Sequence, residues 1–513
     1  MPKKIQISDL GTKGINTDLP PWALPPEFIT DGINFSINTS TISGVKPLVK
    51  QSSPPSDVSA GYLIPLKSVT DNLWLYCGDN IYTTDTVTWT DVSSGSYALQ
   101  DRNNWSGGMF GKLAIVNNSE YTPEYIDPTA GTPAMTALPW DAANSWSVAG
   151  YSCKVIRPYK NFLIALGMTE AGTYYQDAYR WSHPADTNGL PPSWDETDTA
   201  YIAGRAQLGG DGGEIVDGLQ LRDSFVLYSK FAVDILDFTG DEFVFRRRSL
   251  SNSFGLVAQN AVVEVNGMHY FLADGDIVWT DGNNIKSAVY KKFKKRLSAN
   301  MNVANYHKSY AFKNEADKTI GFVVPEGDST EPNIAYLYNY NEESWTIREF
   351  GPTIFAAFGQ LDIDTKTWSN ISSTWDAPDF SWGSTANTPL NSRVMAIDSS
   401  NSDLLVPKNE LTGTTAYIER LGLPLEGHDS VATITRVYPH IKGTQEVQIQ
   451  LGSQDNAASA VRWKPAVSFQ PGTDRKIDIR TTGELHCWRI TAEDSGDWEF
   501  SGMTVEYTNA GKR

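Results

Sequence analysis

The sequence predicts an all-β chain: a β-propeller with an appended C-terminal β-sandwich, irregular inserted loops and one short amphipathic helix. Three observations carry this. Between residues 219 and 286 apolar and polar residues alternate in short runs, among them Ser224-Phe225-Val226-Leu227-Tyr228, Val233-Asp234-Ile235, Phe243-Val244-Phe245, Val262-Val263-Glu264-Val265, Tyr270-Phe271-Leu272 and Ile277-Val278-Trp279. The runs are divided by Thr239-Gly240-Asp241, Asn266-Gly267, Asp274-Gly275 and Asp281-Gly282, the pairs that supply the positive φ a tight hairpin needs. A second signal is a turn residue followed four positions later by Trp, at Asp85…Trp89, Asn341…Trp345 and Asp364…Trp368, and more weakly at Leu190…Trp194 and Gly275…Trp279. Propeller blades use such a large residue to pack on the next sheet, although a sandwich with decorated loops would produce the same unit. The third signal lies beyond Thr415, where Ala416 to Leu421, Thr433 to Tyr438, Glu446 to Leu451, Lys476 to Ile479, Cys487 to Thr491 and Met503 to Tyr507 follow at regular intervals, as in a small sandwich.

Taken in order, residues 1–60 read as an extended arm and first strands. Leu19-Pro20-Pro21-Trp22-Ala23-Leu24-Pro25-Pro26 sustains neither a helix nor a central strand. Trp22 and Leu24 are its candidate contacts, either within the chain as a wrapping leader or on a neighbouring subunit. On the second view, deleting residues 1–25 leaves the propeller folded and impairs assembly. Residues 61–361 form the propeller. Within it Lys286 to Met301 places Val289, Phe293 and Leu297 four apart, as an amphipathic helix does. Residues 362–415, rich in Ser, Thr, Asn and Asp, read as an irregular insertion or tip loops, and residues 416–513 as the sandwich.

Composition removes several classes of function. With 42 Lys and Arg against 60 Asp and Glu the net charge is −18, which argues against a protein that grips nucleic acid over most of its surface and allows one past which nucleic acid slides. Three distant cysteines, Cys77, Cys153 and Cys487, form neither a disulfide framework nor a zinc spacing, and packing is their expected role. No apolar run follows Lys3-Lys4 and none has the length of a membrane span, so the chain reads as soluble and made without a secretory signal.

Motifs for chemistry are scarce. Gly209-Gly210-Asp211-Gly212-Gly213 lacks the strand, helix and Lys-Ser/Thr of a phosphate loop. None of His183, His269, His307, His428, His440 and His486 has a second ligand at metal spacing, and no cofactor is expected. Asp274/Asp276 and Asp362/Asp364 are the nearest candidates for paired carboxylates, but Asp in a turn commonly caps backbone. The sialidase aspartate box needs Gly between its Asp and Trp, where Val87 and Lys366 stand. The chain therefore reads as a non-enzyme. Two cationic clusters remain. Arg246, Arg247 and Arg248 alternate in side, forming either a polar outer rim or a ring facing a lumen or interface. Lys291, Lys292, Lys294, Lys295 and Arg296 form a basic helix face, either solvated or meeting phosphate or an acidic partner.

Three passages bear a resemblance to a known family: Gly14-Ile15-Asn16 … Leu19-Pro20 … Leu24-Pro25 … Asp31-Gly32-Ile33-Asn34-Phe35 … Ser43-Gly44-Val45-Lys46-Pro47; Phe225-Val226-Leu227-Tyr228-Ser229 … Phe238-Thr239-Gly240-Asp241 … Phe245 … Gly255 … Tyr270-Phe271-Leu272 … Asp281-Gly282; and Trp488-Arg489-Ile490 … Trp498-Glu499-Phe500-Ser501-Gly502-Met503, ending Ala510-Gly511-Lys512-Arg513. In pattern and order the chain resembles the tail nozzle proteins of short-tailed bacteriophages, also called packaged-DNA stabilisation proteins. That resemblance implies a virion tail protein assembled in the host cytoplasm, with six copies in a ring below the head-to-tail adaptor. It further implies contacts with tail fibres or tailspikes and a tail needle or plug, and a lumen that retains genomic DNA and later passes it without sequence specificity. It supplies no catalytic residues. Residues 362–410 match nothing in the pattern. The rival expectation is a glycan-binding or glycan-cleaving propeller at a tail tip, its Trp and Tyr stacking on sugar rings, and a third is a trimeric fibre or receptor-binding protein.

Overall fold

The computed structural model describes every residue except 1, 56–57, 67–73, 211, 241–243, 362–391, 409–413, 428–429, 494–496 and 513. The described residues form a seven-bladed propeller joined to a β-sandwich. Blades 1 to 5 are four-stranded antiparallel meanders that follow one another in the chain, and blade 6 is a sixth such meander extended by two short parallel strands. Their first strands are Ala60–Pro65, Trp105–Phe110, Tyr151–Tyr159, Ile215–Leu221, Val262–Val265 and Tyr310–Asn314. Each packs on the next, and Thr353–Gln360 of blade 7 packs on both Tyr310–Asn314 and Ala60–Pro65, which closes the ring. The first strand of every blade therefore faces the axis.

The alternating runs become strands where expected: Ser224–Ser229, Val233–Phe238, Val262–Val265, Met268–Ala273 and Asp276–Thr280. Asn266 and Gly267, with φ of 52° and 72°, make the two-residue turn that joins Val265 to Met268. Trp89 and Trp345 lie on the fourth strands of blades 1 and 6, Trp279 on the third strand of blade 5, and Trp194 in a loop of blade 3. Trp368 lies outside the described residues. The helix is shorter than its periodicity suggests, spanning Lys294–Asn300. Ile285–Ser287 is a strand of blade 5, and Lys291 adopts φ 59°, which ends any helix begun before it. Val289, Phe293 and Leu297 are nevertheless fully buried.

The irregular insertion expected at 362–415 is corrected over its second half. Ser392–Asp398 and Leu404–Pro407 are the second and third strands of blade 7, so the propeller continues well past residue 361. Val394, Met395, Ile397, Leu404 and Val406 are buried in the ring; the Ser, Asn and Asp around such short runs hid them.

Residues 3–52 pack within the chain, as a wrapping leader would, and do so as strands that stitch the two units together. Lys3–Ser8, Phe35–Asn38 and Thr41–Gly44 join one sandwich sheet with Ser430–Gly443, Thr481–Gly483 and Trp498–Lys512. Asp31–Ile33 joins the other, beside Ala416–Pro424, Leu485–Ala492 and Val447–Gln454. Gly14–Ile15 runs parallel to Phe28–Ile29 on the edge of blade 6, and Leu48–Ser52 is the outermost strand of blade 7, opposite Leu404–Pro407. The proline run makes one 3₁₀ turn, Pro21–Ala23. Leu24 is buried and Trp22 is 44% exposed. Arg420, fully buried, donates to the carbonyls of Pro21 at 2.8 Å, of Leu24, and of Pro25 at 3.4 Å, satisfying backbone that proline leaves without a ladder. Lys476 to Ile479 is not a strand; Ile477 makes a single bridge to Val437.

Gly14 permits the junction. Its φ is 81°, and a Cβ there would lie 2.4 Å from the carbonyl oxygen of Trp345 and 2.6 Å from its nitrogen. Gly14→Ala is expected to cost about 2 kcal/mol or more, from the left-handed backbone and the clash together, readable as a lower urea midpoint.

Two buried histidines set an acid limit on stability. His269 sits between Tyr228 Oη and the Gln220 carbonyl, 2.8 Å from each, and burial pushes its pKa down to about 4; burial does the same to His486. Both folded values lie below the ordinary 6.5, so the unfolded chain binds more protons between pH 6.5 and 4. Stability is full above pH 6.5 and falls by up to about 3 kcal/mol per histidine as pH drops to 4. Urea midpoints measured from pH 7.5 to 4.5 should fall over that window; a flat profile would contradict the assignment.

Candidate functional site

The propeller axis is filled by a polar network. Arg157, on the first strand of blade 3, pairs through Nε and Nη2 with Asp217 of blade 4 at 2.8 and 2.7 Å. Its Nη1 donates to Tyr62 Oη of blade 1 at 3.2 Å and to the Gly107 carbonyl of blade 2 at 2.9 Å, and Nη2 also donates to Asn260 Oδ1, just ahead of blade 5, at 2.6 Å. These five bonds use all five guanidinium N–H groups. Asp217 accepts two further bonds, from the backbone N–H groups of Gly218 and Asn260, so the buried pair is fully satisfied. One side chain meets blades 1 and 5 together only across the middle of the ring. Blades 6 and 7 complete the closure: Tyr310 Oη lies 2.6 Å from Thr353 Oγ1, and the Phe355 ring lies 4.5 Å from Tyr62 and 5.6 Å from Tyr310 between centroids. At this level described groups from all seven blades meet across the axis.

Arg246, Arg247 and Arg248 lie on Phe245–Ser251, the outermost strand of blade 4 and the one furthest from the axis. Within the propeller this position is the polar outer rim of the two alternatives. Their alternation is present: Arg247 binds Asp234 at 3.0 Å and the Leu208 carbonyl beside blade 3, whereas Arg248 binds Asp237 and the Gly282 carbonyl of blade 5, both at 2.8 Å. They clamp neighbouring blades at the rim. Asp237 is held below its ordinary value; burial raises it, and the Ser224 hydroxyl with Arg248 and Arg246 more than offsets that. Arg246 is exposed.

The second cluster is partly consumed in the same way. Lys294 pairs at 2.5 Å with Asp276, which Ser287 also binds, and Arg296 pairs at 2.8 Å with Asp31 of the sandwich. Burial lowers the Lys292 ammonium. Its carbonyl accepts from the N–H groups of Thr17 and Asp18, and that of Lys291 from Asn16 Nδ2, so the segment docks the N-terminal strands. The side chains of Lys291 and Lys295 are exposed.

The pairing with Lys294 makes Asp276 a structural anchor, and Asp362/Asp364 lie outside the described residues, as does His428. The three cysteines are buried and free; burial pushes the Cys487 thiol up to about 11 and the other two higher. Among the described residues no group of three or more His, Cys, Asp or Glu could hold a metal ion, and no helix is long and apolar enough to cross a membrane.

In a meander the turns between second and third strands lie at the same end as the blade-to-blade connections. Val148, Phe231, Tyr290 and Val303 occupy such turns and connections along blades 2 to 6, Tyr174 flanks one at the start of its strand, and each is between 48% and 72% exposed. One face of the propeller thus carries most of its exposed large apolar side chains.

No family model and no curated protein matches the sequence. Among solved structures the chain is similar to Raptor from Chaetomium thermophilum, at 9% identity over 71% of this chain and 30% of that one, with a TM-score of 0.39. It is also similar to YCF48 bound to D1 peptide, at 11% identity over 72% of this chain and 97% of that one, with a TM-score of 0.36. The β-propeller domain of Cps50 (Swd1) from Myceliophteria thermophila gives 9% identity over 70% of this chain and 99% of that domain, with a TM-score of 0.39. Likeness at this level carries nothing about activity, and the architecture above rests on the sheets themselves.

Proposed function

We propose that the chain is a structural virion protein, a tail nozzle subunit of a short-tailed phage, which forms a ring below the head-to-tail adaptor, retains packaged DNA and shapes the channel for its ejection. The observation that supports this most is mechanical: a propeller with a filled axis is tied to a sandwich by strands from one segment, making a stiff block whose working surfaces are all external. A passage for DNA is then built between copies, and the exposed apolar face of blades 2 to 6 gives a neighbouring copy or tail protein something to cover. The net charge of −18, repeated in each copy, makes a wall that repels phosphate, so DNA passes without sticking. Retention then depends on a plug and not on bound cations; four of the eight cations in the two clusters, Arg247, Arg248, Lys294 and Arg296, are already paired within the chain. The test is genome retention: heads filled without this chain should lose DNA and recover on its addition, with retention little changed across a salt series. Full retention in its absence would sink the proposal.

A further inference from the structure

A cleft of about 350 Å³ opens where blade 6, blade 7 and the Phe35–Asn38/Thr41–Gly44 hairpin of the sandwich meet. That size and position, at a junction between structural units, suit a small polar ligand. Its cations outnumber its acids: Lys46, Arg348 and Arg393 line it against Asp317, in a chain with the opposite balance. Arg348 is the informative one. Its guanidinium lies over the Phe350 ring at 5.4 Å, donates to the Lys46 carbonyl, and makes no ion pair among the described residues. Asp317, the acid whose field reaches it, already accepts from Asn314 Nδ2 at 2.8 Å. Burial pushes the Arg348 pKa down to about 10, the mark of a charge short of partners. A second group lacks one: the Ser344 hydroxyl on the wall is fully buried and has no hydrogen-bond partner among the described residues. The stacked Phe312 and Phe350 rings, 5.3 Å apart, supply an apolar floor.

An unpaired guanidinium, a hydroxyl awaiting a partner and an aromatic floor are what a sugar acid needs for its carboxylate, its hydroxyls and its C–H face. We propose that this cleft binds the carboxylate of a hexuronate-type acidic sugar, with Arg348 as the pairing cation and Ser344 as a hydroxyl partner. Lys46 and Arg393, both exposed, stand at its mouth and add field without direct contact. The proposal is independent of ring assembly, since every group comes from one copy.

Isothermal titration of the full chain with glucuronate tests it, with glucose and inorganic phosphate as comparisons. Glucuronate should bind with a Kd of about 1 mM, as expected for a ligand of this size. Glucose and the Arg348→Gln chain with glucuronate should each be weaker by about tenfold, the loss of one charge-assisted bond. Lys46→Gln, at an exposed position that does not threaten folding, should weaken glucuronate by about threefold and flatten its salt dependence. No heat with glucuronate, equal binding of glucose, tighter binding of phosphate, or unchanged affinity in both variants would each overturn the proposal.

Discussion

Asp217→Ala is expected to destabilise the chain by about 3–5 kcal/mol, because it leaves the Arg157 guanidinium charged and unpaired in the middle of the ring. Asp217 has no exposed surface, and its carboxylate takes four hydrogen bonds, two from Arg157 and two from backbone N–H groups. Removing it also strips Arg157 of the partner that positions its remaining bonds to blades 1, 2 and 5. The effect should be larger than that of Arg157→Met with Asp217→Leu together, since an apolar pair of similar volume avoids the uncompensated charge. Urea denaturation of the three chains decides it. An Asp217→Ala midpoint close to wild type would mean that the axis is held by the aromatic contacts and not by the ion pair.

Deleting residues 1–52 should abolish the folded state. The deletion removes the outermost strand of blade 7, where Val49 faces Val406 and Lys50 faces Leu405, and so breaks the strand-to-strand link that joins the two ends of the propeller. It also takes four strands from the sandwich and exposes the edges they cover. Removal of residues 1–8 alone takes one edge strand and should yield a folded, less stable chain. A deletion of residues 1–25 that only impairs assembly, as an arm would imply, is no longer expected, because Gly14–Ile15 and Leu24 are part of the folded body. Size-exclusion chromatography with limited proteolysis of the truncations separates these outcomes. A compact, protease-resistant chain lacking residues 1–52 would contradict the closure described here.

The strands of residues 219–286 were legible because alternation and Asn-Gly or Asp-Gly turns are local signals, and hairpins obey local rules. Closure was not, since it joins Leu48–Ser52 to Leu404–Pro407 across some 350 residues, and no local pattern encodes such a pairing. The proline run signalled that residues 19–26 need outside support without saying that Arg420 supplies it. The axial network left a fainter trace: Arg157 and Asp217 are single charges in the apolar runs Val155-Ile156-Arg157 and Ile215-Val216-Asp217, and a buried charge in a strand asks for a partner. Arg246 to Arg248 form a visible cluster in the sequence, yet Arg247 and Arg248 are spent on carboxylates of the neighbouring strand, diagonal to them in the ladder. Arg348 leaves no mark in the sequence, because what distinguishes it is the lack of an ion-pair partner among the described residues, which only three-dimensional placement reveals.

The most direct measurement is the mass of the purified chain in solution, taken by native mass spectrometry together with negative-stain images of the same sample and of its mixture with the adaptor. Closed rings are expected, six copies by the family resemblance, with a central hole bounded by several copies and every propeller axis filled. A chain that stays monomeric at all concentrations and with the adaptor, or one whose opening runs through the propeller itself, would contradict that expectation.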